Sequence, residues 1–228
     1  MNNKTISPIA YISTDFKEKF GIPRQSGRAP KSVGEIVFLP EFSTPDAFRE
    51  LQGFSHLWVL FDFSAVDKKE WSPLVRPPRL GGNKKVGVFA SRSPFRPNNI
   101  GLSCVKLEKI NYTEKGVTLL VSGIDLLDKT PIYDIKPYIP SADCKIDAVG
   151  GYSDEVKDYK LKVDFPENLK GKIPTDKIDA LIECLSDDPR PSYQSDGREY
   201  GMAFADKNVK FIVQDGVLTV IEIEQTAR

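Results

Sequence analysis

Histidine, cysteine and long apolar runs are scarce in this chain, and each scarcity removes a class of function. His56 is the single histidine in 228 residues, and Cys104, Cys144 and Cys184 are the three cysteines. Thiols odd in number and far apart fit reduced cysteines better than a disulfide frame. With one imidazole available, a zinc cluster is not expected, and we expect no metal. No apolar stretch approaches the ~20 residues needed to span a bilayer, and Met1-Asn2-Asn3-Lys4 lacks a signal-peptide core. The expectation is a cytoplasmic protein with no membrane partner.

Net charge is missing too. Lysine plus arginine equals aspartate plus glutamate at 32 each, so no global basic field draws in RNA and any nucleic-acid contact needs a local patch. Arg76, Arg79, Lys84, Lys85, Arg92 and Arg96 form one candidate, with no acid among them. On charge alone a solvated loop explains them equally well. No Gly-x-Gly-x-x-Gly opens a helix after a strand and no Gly-x-x-x-x-Gly-Lys-Ser/Thr occurs, so doubly wound nucleotide and methyltransferase folds have no support. There is no internal repeat.

What is present reads as a globular chain, 40% hydrophobic and 28% charged. Its length suits one large domain or a main domain with an appendage. Strands are expected over Ile6–Thr14, Val33–Leu39 and Ser55–Phe63, the last buried on both faces. A short helix is expected over Thr44–Leu51, capped by Ser43 or Thr44. A hairpin joins Cys104–Asn111 to Val117–Ser122, and another joins Val209–Val213 to Val217–Glu224 across Asp215-Gly216. Ser141–Leu169 is polar and irregular and marks a boundary. Beyond it, Ile178, Leu181, Ile182 and Leu185 form a helical core stripe. Strands outnumber helices, so the main domain is expected to be an antiparallel barrel or closed sheet.

The stretch from Val86 to Ser103 stands apart. A short apolar strand enters Ser91-Arg92-Ser93-Pro94-Phe95-Arg96-Pro97-Asn98-Asn99-Ile100-Gly101-Leu102-Ser103. Prolines stiffen the loop by fixing φ and restricting the residues before them. Arg92 and Arg96 bring donor forks suited to carboxylate or phosphate, and Asn98 and Asn99 bring paired donors and acceptors. A Pro-rich turn with surface arginines is the plain alternative, but few turns need so many polar groups. Arg76-Pro77-Pro78-Arg79-Leu80-Gly81-Gly82-Asn83 reads as a stiff arm on a flexible joint, closing over substrate or merely connecting. His56, at a strand mouth, is more simply a structural histidine than a general base. Asp128 fits a turn, whereas Asp125, between Ile124 and Leu126, is harder to dismiss.

Ser91–Ser103 resembles the signature of the TrmO family, S-adenosylmethionine-dependent enzymes that methylate N6 of threonylcarbamoyladenosine beside the tRNA anticodon. The family usually has proline where this chain has Asn99, a departure expected to loosen one turn. Asp134-Ile135-Lys136-Pro137-Tyr138 and Asp188-Pro189-Arg190-Pro191-Ser192-Tyr193 match further. The resemblance implies a mainly β fold: a single-sheet antiparallel β-barrel over 1–145 that binds S-adenosylmethionine, and a small C-terminal α+β domain over 146–228. It implies a cofactor site of Pro23, Arg24, Gln25, His56, Leu57, Arg92, Leu102, Asp125, Leu126, Leu127 and Asp128. Arg76, Arg79, Arg96 and Arg190 are the candidates for tRNA, and a homodimer is implied. The proton on N6 needs an acceptor, for which Asp125, Asp134, Tyr133 and His56 all remain open. Two rivals stand beside this reading: a non-catalytic RNA- or nucleotide-binding barrel, and an enzyme that consumes S-adenosylmethionine with no methyl acceptor.

Overall fold

The computed structural model describes residues 5–66, 71–80, 84–191, 194 and 196–226. Six strands close into a barrel in the order β1-β2-β7-β6-β3-β8. These are β1 (Ala10–Thr14), β2 (Val33–Phe38), β3 (His56–Asp62), β6 (Ile100–Thr113), β7 (Gly116–Ser122) and β8 (Pro131–Pro137), and all their pairings are antiparallel. A two-stranded ribbon of β4 (Leu74–Val75) and β5 (Val86–Gly87) lies outside the barrel wall. Period-two alternation turns Ile12, Ile36, Leu57, Val59, Phe61, Leu119 and Val121 inward, all nearly fully buried. Their side chains fill the lumen, so the barrel is a packed core with no channel.

Three expectations are corrected here. The Ser55–Phe63 segment is not buried on both faces: Leu57, Val59 and Phe61 are, while His56, Trp58, Leu60 and Asp62 alternate outward and are half-covered. A closed barrel has one interior, and the outer cover comes from local partners. Trp58 packs against Tyr138 at 5.7 Å and donates its indole N–H to Asp143 Oδ2 at 3.0 Å. Thr44–Leu51 forms no α-helix but two 3-10 turns, Pro45–Phe48 and Leu51–Gly53, broken by Glu50 in the left-handed region at φ 67°. Ser43 caps neither, because its hydroxyl accepts the Val117 N–H at 2.6 Å. The apolar segment from Val86 is a strand for only two residues before Val88–Ala90 tightens into a 3-10 turn, closed by Ser91 N donating to Val88 O at 3.2 Å.

The remaining elements are α1 (Pro140–Asp143), β9 (Lys162–Asp164), α2 (Glu167–Lys170), α3 (Ile178–Ser186), β10 (Glu199–Phe204), β11 (Lys207–Gln214) and β12 (Val217–Gln225). They form a four-stranded sheet, β10-β11-β12-β9, in which β9 pairs parallel with β12. Asp215 and Gly216 turn the β11–β12 hairpin with φ of 50° and 76°, the two left-handed residues of a type I′ turn. In α3, Leu181 and Leu185 are fully buried and Ile178 and Ile182 pack at the margin.

The barrel and this sheet share one core. Phe16, at the end of β1, meets Phe204 of β10 with ring centroids 5.9 Å apart, and Phe20 stacks on Tyr200 and Phe211 at 6.2 and 6.4 Å. Gly21 fits against Met202 because it has no side chain, since a Cβ there would come within 2.2 Å of the sulfur. Truncation of Phe16 to alanine should cost about 3–5 kcal/mol. Urea unfolding of Phe16→Ala is expected to lower the midpoint of a single transition for both units. Two separated transitions in the wild-type protein would contradict a shared core.

Candidate active site

The site grows from a mismatch in strand length. β3 pairs with β6 from Ile100 to Lys106, whereas β7 pairs with β6 only from Lys106 onward. The first half of β6 therefore has a flank with no strand beside it. β7 stops at Ser122, and Gly123, with φ of 70°, turns the chain off the wall. The following loop drops Ile124 and Leu126 into the core, at 0% and 1% exposure, and leaves Asp125 beside the open flank.

A second loop fills that gap. Gly27 N–H donates to Gly123 O at 2.8 Å, and Ser26 Oγ accepts the Cys104 N–H at 3.2 Å. Backbone direction alternates along a strand, so the N–H and C=O of Leu102 face the same flank as those of Cys104. Ser103 Oγ donates to Asp125 Oδ1 at 2.6 Å. Arg92 Nη1 donates to Gln25 Oε1 at 2.7 Å. Burial pushes the Asp125 carboxyl up to about 6, although hydrogen bonds from Ser103, from the Ser26 backbone N–H and from its own N–H, with the Arg92 charge, favour ionisation.

The loop carrying Arg92 is held by its own serines. Ser93 N donates to Ser91 Oγ at 3.2 Å, Phe95 N to Ser93 Oγ at 3.3 Å, and Arg96 Nη1 to the Ser91 carbonyl at 2.9 Å. Asn99, expected to loosen the turn, instead ties it down. Its side-chain amide donates to Asp62 Oδ1 at 3.2 Å, and its carbonyl accepts the Phe63 N–H at 3.2 Å. Proline has no side-chain amide with which to make the first of these bonds.

The structure thus gathers Gln25, Arg92 and Asp125 around the Leu102 edge, with Pro23 and Arg24 on the same loop and Leu127 half-buried nearby. Ser26 and Ser103 complete the cluster. Both stand inside stretches prominent in the sequence, but a serine with no charge gives no signal until its partner is known. Leu57 and Leu126 turn their side chains into the core, so they serve as wall. Asp128 is a turn residue. Burial raises its carboxyl, but the Thr14 N–H at 2.9 Å and Lys17 Nζ at 2.9 Å outweigh that and hold it below the ordinary value.

Several of the other candidates have partners of their own. Asp134 pairs with Lys136 at 2.8 Å on the outer wall. Burial pushes the Tyr133 hydroxyl up, with the Asp62 charge adding to it. His56 pairs through Nδ1 with Ser55 Oγ at 2.9 Å, opposite Lys106, four residues along β6 from Leu102. Arg76 is exposed on the outer ribbon side, and the Arg79 side chain and Gly81-Gly82-Asn83 lie outside the described residues. Arg190 is 7% exposed and bonded to Asp188 at 3.0 Å and Asp196 at 3.2 Å. That placement ties the guanidinium of Arg190, a candidate for tRNA, to two carboxylates of its own domain. Ser192 and Tyr193 of the same motif lie outside the described residues. Among the described residues no cluster of His, Cys, Asp or Glu could hold a metal ion, and no helix is long and apolar enough to cross a membrane.

A closed antiparallel barrel whose polar loops meet at a split in its wall defines a class of barrel proteins with a rim-built ligand site, distinct from the doubly wound nucleotide folds. Comparison with known proteins narrows this. Residues 11–144 match the family model for the tRNA-methyltransferase O N-terminal domain, and residues 158–226 match that for the TrmO C-terminal domain. The tRNA (adenine(37)-N6)-methyltransferase of Escherichia coli (strain K12) is 38% identical, over 98% of this chain and 99% of its own. A Pseudomonas aeruginosa protein named putative S-adenosylmethionine-dependent methyltransferase RcsF is 44% identical over 90% of each chain. A crystal structure of TrmO from P. aeruginosa superposes with a TM-score of 0.81 at 34% identity, covering 98% of this chain and 99% of that one. The chain belongs to the tRNA-methyltransferase O family.

A carboxyl raised from 3.8 to about 6 favours the neutral form in the folded state. It contributes stability that is fully present below the unfolded value and lost as pH rises through about 6. Asp125→Asn removes the charge and should raise Tm at pH 8 by the equivalent of up to about 3 kcal/mol, with little change at pH 4. Thermal melts across that range check it, and an equal shift at both ends would mean the carboxylate is not strained by burial.

Proposed function

We propose that this chain is an S-adenosylmethionine-dependent methyltransferase acting on N6 of threonylcarbamoyladenosine beside the anticodon of tRNA. The observation that carries the reading is the cluster at the β6 edge: one guanidinium, one amide, two serines and a buried carboxylate around a backbone edge with no strand beside it. That donor set suits the cofactor. Arg92, exposed beyond its bond to Gln25, matches the amino-acid carboxylate. The Leu102 edge offers backbone groups to a heteroaromatic ring, and the Leu102 side chain, 48% exposed, adds apolar surface. The names of the relatives point the same way.

S-adenosylmethionine supplies an electrophilic methyl group on a sulfonium. Because methyl transfer needs in-line approach, the chain's main task is positioning, and a loop already ordered by Ser91, Ser93 and Asn99 does this without further ordering cost. N6 bears a carbonyl substituent and is a weak nucleophile until its proton leaves. Of the four candidate acceptors we assign Asp125. It belongs to the cluster, and its carboxyl, at about 6, is ionised near neutral pH yet basic enough to accept a proton. Asp134 is engaged with Lys136, and the Tyr133 hydroxyl is raised by burial and by the Asp62 charge.

Arg76, Arg79 and Arg96 are assigned to tRNA. The active form is read as a homodimer: Trp71 and Phe89 stack at 6.4 Å, 51% and 74% exposed, and Leu74 and Ile100 add apolar surface for a second copy to cover. Light scattering at working concentration tests this, and a monomer would contradict it.

Labelled S-adenosylmethionine with tRNA from cells lacking this activity should transfer label to the modified adenosine and not to tRNA without the threonylcarbamoyl group. Binding without transfer would support a non-catalytic barrel, and cofactor consumption at an unchanged rate without RNA would support the acceptor-free enzyme. Arg92→Ala should abolish calorimetric binding of S-adenosylmethionine, and unchanged affinity would remove Arg92 from the site. With wild-type enzyme kcat should fall as pH drops through about 6, while Asp125→Asn should flatten the profile and lower kcat by about 10²–10⁴-fold.

A further inference from the structure

The loop that brings Gln25 to Arg92 and Ser26 to Cys104 does not belong wholly to the barrel. Its far side is fixed to the C-terminal domain through one buried carboxylate. Asp187, directly after α3 and with its side chain 4% exposed, accepts Arg28 Nε at 2.6 Å through Oδ1 and the Arg24 backbone N–H at 3.3 Å through Oδ2. Arg24 Nη2 donates to the Arg190 carbonyl at 2.8 Å, and Arg28 reaches the carbonyls of Lys157 at 2.5 Å and Tyr159 at 2.8 Å. Behind the loop lies a cavity of about 310 Å³ between Lys19–Arg24 and Cys184–Pro189. Packing is therefore incomplete at the Arg24 end of the segment, where polar bonds to Asp187 and Arg190 hold it.

We propose that Asp187 is a positioning residue for the methyl-transfer reaction: it sets the loop from Pro23 to Arg28 so that Gln25 and Ser26 complete the cofactor site. This assigns the C-terminal domain a part in cofactor binding, and it rests on the reading that the β6 edge is where S-adenosylmethionine binds. The bonds run in sequence. Asp187 fixes both ends of a five-residue segment, Arg24 to Arg28, and between them Gln25 orients the Arg92 guanidinium while Ser26 occupies the Cys104 N–H and donates its own N–H to Asp125. Loss of the anchor leaves Asp125 where Ile124, Leu126 and Ser103 hold it, but frees Gln25, so that the Arg92 guanidinium loses its orientation.

Asp15 provides the control. Its carboxylate pairs with Lys177 Nζ at 2.5 Å, joining the same two domains without touching the loop. The test compares Asp187→Ala, Asp187→Asn and Asp15→Asn in the full chain by amide hydrogen exchange of residues 21–30, calorimetry with S-adenosylmethionine, and steady-state kinetics. Asp187→Ala is expected to speed exchange over 24–28 and to raise Kd and KM for S-adenosylmethionine by about tenfold, a lost hydrogen-bond anchor of ordinary strength. The KM for tRNA and kcat at saturating cofactor should hold. Asp187→Asn, which keeps the volume and one acceptor oxygen, should fall between and serves if the alanine variant does not fold. Asp15→Asn should change neither exchange nor affinity. Wild-type exchange and affinity in both Asp187 variants would overturn the proposal, as would an equal effect from Asp15→Asn. If wild-type protein binds no S-adenosylmethionine, the functional reading falls, and exchange at 24–28 alone then decides whether Asp187 orders the loop.

Discussion

β7 leaves the barrel wall at Gly123 while β6 continues, and most of what is particular to this molecule follows from that early exit. A strand with no neighbour on one flank exposes backbone donors and acceptors that must be met by something. Here the Gly21–Pro30 loop meets them in part, through Ser26 on Cys104 and Gly27 on Gly123. The left-handed φ at Gly123 makes the exit possible without strain, and Ile124 and Leu126 anchor the departing chain in the core. Asp125 lies between two buried aliphatic residues, which is why its carboxyl is both well placed and raised.

The site is consequently a composite. One wall is a strand edge, one a serine-laced loop after the outer ribbon, one the loop that buries Ile124 and Leu126, and one a loop tethered to Asp187 after α3. None of the four is a functional unit alone. The shared core of Phe16, Phe20, Phe204 and Phe211 gives the tether a rigid base, so that the hydrogen bonds Asp187 accepts act against a fixed frame. Positioning of this kind suits a reaction in which alignment of donor and acceptor accounts for much of the rate.

Much of the architecture was legible from pattern. Alternation in the β6–β7 hairpin, the Asp215-Gly216 turn and the α3 stripe are local signals, written within a few residues of where they act, whereas the alternation of β3 is hidden in the sequence because Trp58 and Leu60, at outward positions, are apolar too. The resemblance carried by Ser91–Ser103 indicated the family and the chemistry. Short pieces were not legible. β9 has three residues and owes its existence to β12, more than fifty residues away, and β10 alternates Tyr200, Met202 and Phe204 inward but holds glycine and alanine, weak strand formers, between them. Thr44–Leu51 looked helical because its composition allows a helix, but Ser43 was already engaged by Val117.

Residue types in order were enough to fix a mainly β chain, a stiff arginine loop, and the family to which it belongs, because alternation, proline and glycine act through neighbouring dihedral angles. Which polar groups meet was decided only by tertiary structure. The sequence does not show that Asp128 meets Thr14 and Lys17, or that Arg190 meets Asp188 and Asp196. Nor does it show that Ser26 meets Cys104, Ser103 meets Asp125, or Asp187 meets Arg24 and Arg28. The reason is physical: a charge or hydroxyl acts according to what lies within about 3 Å of it, and across sequence separations such as the 159 residues between Arg28 and Asp187, closure of the barrel on its C-terminal sheet sets that distance.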